Sequence, residues 1–186
     1  SIIGGRKAAG YAGCESNSIF INSSYINLAD SLKDIIYHES AHLGDYDKGK
    51  GISFLSDKDI TINNDSTDTS YIDFHGKKIA KADVRKLISN YALTNPREFV
   101  AEIGANITKG RIIRTSDGHY RINELSNTMD RYEKMFKNLF NTEKQNVNEL
   151  DDIMELYNYL TEGKVVNPKT VTYSQFLFDI AKNLVQ

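Results

Sequence analysis

The chain has 186 residues, a formal net charge of −2, 40% hydrophobic and 26% charged residues. That length and balance suit one globular domain with a single core, and the near-neutral charge argues against a dedicated nucleic-acid binder. No apolar run approaches the roughly 20 residues that cross a bilayer, and the one cysteine, Cys14, excludes an internal disulfide framework or a Cys-rich zinc site. The sequence starts Ser1-Ile2-Ile3-Gly4-Gly5 without an initiator Met or an apolar leader, which reads as processing or excision from a longer parent.

In chain order, residues 1–17 carry Gly4, Gly5, Gly10 and Gly13 and read as a flexible lead-in. Ser18 to Asn22 reads as a strand closed by a polar turn. From Asn27 the spacing of Leu28, Leu32, Ile35, Ile36 and Leu43 predicts an amphipathic helix, stopped by Gly44, Gly49 and Gly51. Short strands are expected at 52–55, 60–62 and 71–74, with a polar loop at 63–70. A helix is predicted from Ile79 to Tyr91, with Ala82, Leu87, Ile88 and Tyr91 toward the core. Asn95-Pro96 then opens another helix, Asn at the N-cap and Pro at the first helical position, with Phe99, Val100, Ile103 and Ile107 on its apolar face. Asp117-Gly118 between two short alternating runs predicts a hairpin. Three apolar stripes, at 125–140, 147–160 and 176–184, complete a helical last third. These elements amount to an α+β, mostly α fold with a small sheet. The division expected is a lead-in (1–17), a catalytic domain (18–140) and a helical C-terminal extension packed on it (141–186).

The chemistry concentrates in His38-Glu39-Ser40-Ala41-His42. Histidines at i and i+4 stand one above the other on a helix face, so both imidazoles reach one ion. Glu39, turned about 100° around the axis, addresses a metal-bound water without ligating the metal. That is the spacing of two zinc ligands and a general base. A catalytic zinc takes a third protein ligand. Asp45 and Lys48 stand where a glycine and a third histidine would mark a metzincin, and the setting of Cys14 suits a ligand poorly. Glu98, in the first turn after Asn95-Pro96, remains as a carboxylate ligand; Glu102 shares its helix face and is placed to accept a hydrogen bond from a ligand imidazole. Taken alone, Glu98 reads equally as a reciprocal capping partner of Asn95, and Glu102 as a solvated helix position. His75 and His119 sit beside glycines in expected turns and read as exposed. Lys77, Lys78, Lys81, Arg85 and Lys86 read as a solvent-facing basic face.

Tyr91-Ala92-Leu93-Thr94-Asn95-Pro96-Arg97-Glu98-Phe99-Val100-Ala101-Glu102, placed after His38-Glu39-Ser40-Ala41-His42, resembles the gluzincin metallopeptidases typified by the anthrax lethal factor catalytic domain and the bacterial Pro-Pro endopeptidases. The match spans about residues 35–107, and the Asp45-Tyr46 pair is also similar. The resemblance implies a zincin-like domain with Zn2+ on His38, His42 and Glu98, Glu39 as base, Tyr91 stabilising the oxyanion or assisting the leaving group, and Glu102 behind the ligands. It implies a zinc endopeptidase, a secreted protease or toxin module acting as a monomer on a protein or peptide substrate, either Pro-rich or a host protein. The same resemblance leaves open a catalytically inactive zincin-like binding domain of a larger toxin, and, more remotely, zinc hydrolysis of a non-peptide amide.

Overall fold

The computed structural model describes residues 2–3, 6–7, 9–22, 29–47, 52–53, 55, 58–64, 70–123 and 147–161. The stripes at 125–140 and 176–184 and most of the polar loop lie outside them. The described chain is mixed α and β, with helices dominating and the strands confined to small ribbons. In order it runs β1 (Ile2–Ile3), β2 (Arg6–Lys7), β3 (Gly10–Gly13), β4 (Ser18–Ile21), α1 (Ala29–Asp45), β5 (Tyr46–Asp47), β6 (Ile52–Ser53), β7 (Tyr71–Phe74) and β8 (Lys77–Ala80). It continues with α2 (Lys81–Leu87), a 3-10 turn (Tyr91–Leu93), α3 (Pro96–Thr108), β9 (Ile112–Arg114), β10 (Tyr120–Ile122) and α4 (Val147–Leu160). The strands pair in sequence order into two-stranded antiparallel ribbons among the described residues.

Several expectations change. The glycine-rich segment assigned to the lead-in contains β3, which pairs with β4 in the register Gly10↔Ile21 to Gly13↔Ser18 and lies along α1. The helix expected from Ile79 begins two residues later. Lys77–Ala80 is a strand because His75 and Gly76 both take positive φ (48° and 80°) and fold it back on Tyr71–Phe74, placing the β-branched pair Ile72 and Ile79 opposite each other in the core. That helix also ends early, at Leu87, and Tyr91 enters a separate turn with 52% of its surface exposed. Finally, Ile60–Ile62 forms no strand, and Gly44 lies within α1 rather than ending it.

Other elements follow the expected logic. In α3 the Asn95 side chain accepts from the Glu98 backbone N–H at 3.0 Å and Pro96 occupies the first turn. Phe99, Val100 and Ile103 are buried, packing with Ile153, Met154, Leu156 and Leu160 of α4. The hairpin at Asp117-Gly118 forms, with Gly118 at φ 90°. Helix α3 is the central strut, touching α1 on one side and α4 on the other. Its approach to α1 is close because both helices present small residues: a Cβ at Gly104 would lie 3.4 Å from the Ala41 Cβ. Lys81 is buried rather than solvent-facing, its Nζ donating to Asn63 Oδ1 at 2.6 Å.

Candidate metal centre

The α1–α3 contact brings together residues 56 to 64 positions apart in sequence. His38 and His42, one turn apart, point their Nε2 atoms the same way, 3.1 Å from each other. Across the interface, Glu98 Oε2 lies 2.9 Å from His38 Nε2 and 3.1 Å from His42 Nε2. The capping alternative for Glu98 is resolved by its two ends. Its backbone N–H is capped by Asn95, while its carboxylate reaches across to the histidines instead of turning back.

These three atoms form a near-equilateral triangle that can hold a divalent cation, in a generic zincin-like arrangement. The size fits. Ligand bonds of about 2.0–2.1 Å at a tetrahedral angle place neighbouring donors ~3.3 Å apart. The donor chemistry fits as well, since two imidazoles and a carboxylate are a borderline-soft set suited to zinc. Without a cation the same triangle attracts a proton. Burial pulls the His38 pKa down, but hydrogen bonds and charge from Glu102 and Glu98 outweigh it and push it up to about 10. Glu98 is the mirror image: burial works to raise its pKa, yet the two histidines hold it at about 2.

The surroundings orient the triangle. His38 Nδ1 donates to Glu102 Oε1 at 2.7 Å, so Nε2 is the ring atom left for an ion. Glu102 in turn accepts from Ser89 Oγ at 2.6 Å, and Ser89 Oγ accepts from the Ala92 N–H at 3.1 Å. Ser89 carries no sequence signal; only the turn preceding α3 brings it there. His42 Nδ1 is buried with no hydrogen-bond partner among the described residues. Tyr91 closes one side, its ring centroid 5.6 Å from that of His38 and its phenol under the charge of the nearby Glu98. Burial first, then the Glu98 charge, pushes the phenol up to about 12.

Glu39 lies against β3 beside the triangle and is 8% exposed. Burial raises its pKa, against the opposing pull of both histidines and of the nearby Ala12 N–H. The strand pattern explains that amide. Asn22 N donates to Ala9 O at 2.9 Å, so the amides of Tyr11 and Gly13 also face β4 while those of Gly10 and Ala12 face outward, over α1. The approach needs a glycine: a Cβ at Gly10 would stand 2.7 Å from Ile35 Cγ2 and 3.5 Å from Glu39 Cγ. Strand β3, α1 and the start of α3 thus enclose an open cleft of about 660 Å³, with His38, Glu39 and His42 on its floor and Tyr91, Arg97 and Glu98 on the wall opposite β3.

Of the residues singled out in the sequence, His38, Glu39, His42, Tyr91, Glu98 and Glu102 all line this cleft. Cys14 lies beside it, its thiol 3.8 Å from the His42 carbonyl oxygen. His75 and His119 stay exposed and outside it, His119 paired with Asp151 at 2.6 Å. The chain matches no family model, no curated protein and no solved structure.

Proposed function

We propose that the protein is a zinc-dependent endopeptidase. The observation that carries this reading is the triangle of His38 Nε2, His42 Nε2 and Glu98 Oε2, with a buried carboxylate, Glu39, one residue from the first ligand and facing an open cleft. Zinc held there supplies Lewis acidity, polarising a carbonyl oxygen and making water nucleophilic near neutral pH. Glu39 takes the proton of the attacking water and delivers it to the amide nitrogen as the C–N bond breaks. Its raised pKa suits both steps, because a stronger base accepts the proton more readily and the acid still forms in a buried site. Tyr91 stays neutral with its pKa near 12 and donates a hydrogen bond to the developing oxyanion. Glu102 and Ser89 hold His38 in one tautomer and one orientation. An extended peptide lies along the outward edge of β3, its backbone pairing with a strand whose other edge is taken by β4.

The resemblance of the two motifs to the lethal-factor and Pro-Pro endopeptidase group supports a finer reading, a zincin-like gluzincin that is secreted or delivered into a host cell. The test is direct. Elemental analysis should give one zinc per chain, and cleavage of a decapeptide library should be abolished by a chelator and restored by zinc. Stoichiometric zinc with no cleavage of any peptide would instead support a non-catalytic binding domain.

A further inference from the structure

We propose that Arg97 forms an anionic-side-chain subsite, selecting peptides with Asp or Glu two or three residues before the cleaved bond. This rests on the peptidase reading and deepens it. Arg97 is the only lysine or arginine among the described residues lining the cleft. Three of the four acidic residues that share the lining are engaged: Glu98 with both histidines, Glu102 with His38 and Ser89, and Asp34 with Lys109 at 2.8 Å. Arg97 is held differently. Its Nε lies 3.8 Å from the buried Asp45 carboxylate, an ion pair too long for a hydrogen bond, and its side chain is 48% exposed. Asp45 thus fixes the root of the guanidinium while the two terminal nitrogens, the fork that grips a carboxylate, have no hydrogen-bond partner among the described residues.

Position follows from the direction of β3. Gly10 lies over Ile35 and Glu39, and Cys14 reaches the His42 carbonyl, so β3 and α1 run the same way along the cleft. A peptide pairing antiparallel to β3 runs opposite to α1, with its N-terminal part toward Asp45 and Arg97. Asp45 is about five residues beyond the midpoint of His38 and His42, which is ~7.5 Å along a helix. An extended peptide covers that in about two residues at ~3.3 Å each, and the length of the arginine side chain extends the reach to a third.

The experiment uses the zinc-loaded chain and a positional-scanning decapeptide library, followed by matched peptides carrying Glu or Gln at the selected position. The expected result is enrichment of Asp and Glu two or three residues before the cut, with kcat/KM for the Glu peptide about 10-fold above the Gln peptide. In Arg97→Gln that ratio should fall to about one, and in Arg97→Glu the preference should pass to Lys, both variants retaining cooperative unfolding and stoichiometric zinc. Cleavage with no acidic preference at these positions, or a preference that survives Arg97→Gln, overturns the assignment. If no peptide is cut, fluorescence anisotropy with the same labelled peptides separates the two readings. Tighter binding of the Glu peptide that is lost in Arg97→Gln upholds the subsite while the peptidase reading falls; equal binding of both peptides overturns the subsite.

Discussion

Glu39, Tyr91 and Glu102 share one cleft but differ in what each touches, and this separates the effects of their loss. Glu39 is not one of the three ligands of the triangle, so Glu39→Gln should keep zinc, measured by elemental analysis, while turnover falls about 10²–10⁴-fold. Tyr91 stands beside the triangle from a half-exposed position, outside the ligand set. Tyr91→Phe should therefore lower kcat by roughly 10²-fold with little change in KM; an equal rise in KM would assign it to binding instead. Glu102 meets the triangle only through His38 Nδ1. Glu102→Ala should weaken zinc affinity 10–100-fold in a competition titration with a chromophoric chelator, because the imidazole loses the acceptor that fixes its tautomer. The juxtaposition of His38 and His42 was legible in the sequence because it is local, one helical turn on one face, with Glu39 turned about 100° beside it. Ser89 and Ala12 were not, since a serine in a turn and a backbone amide acquire meaning only once distant segments meet them.

Helix α3 does two jobs with one turn. Asn95 caps the Glu98 N–H, and the same turn aims the Glu98 carboxylate at α1. Asn95→Ala should cost about 1 kcal/mol in urea unfolding and also weaken zinc binding, since fraying the first turn loosens a ligand. Zinc affinity unchanged beside a lowered unfolding midpoint would show that tertiary packing alone holds the carboxylate. The Asn-Pro start of this helix was readable because cap chemistry is set by adjacent residues. The start of α2 was misread for the converse reason. Ile79, Ala82, Leu87 and Ile88 satisfy a helical period, but His75-Gly76 closes a hairpin that claims Ile79 first. Ambiguous apolar spacing yields to a turn that fixes strand register.

Across the whole molecule, α4 ties the β9–β10 hairpin to the core on the side away from the cleft. Its Asp151 accepts from the Tyr120 backbone N–H at 2.8 Å and pairs with His119 at 2.6 Å. The hydrogen bond to Asp151, then its charge, raises the His119 pKa. A raised histidine pKa makes the pair's stabilisation fully present below the unfolded value near 6.5 and lost as pH rises through the folded value. NMR titration should show His119 above 6.5 and returning toward it in Asp151→Asn; a midpoint indifferent to that substitution would remove the pair from the stability balance. The pairing of α4 with the hairpin was not visible in the sequence, where periodicity marks an apolar face without naming what covers it. The ligand set was an exception because chemistry narrowed the choice of carboxylate. No helix among the described residues is long and apolar enough to cross a membrane.

The pinch at Ala41 and Gly104 reaches further than packing. The two imidazoles ride on one rod and the carboxylate on the other, so the gauge between the rods is also the bore of the ion's seat. A methyl at position 104 would just meet Ala41 at 3.4 Å, but any bulkier side chain there would push the rods apart and lengthen the span from the carboxylate to both imidazoles, leaving the imidazole pair itself unchanged. Grip on an ion would then weaken through a residue that never meets it.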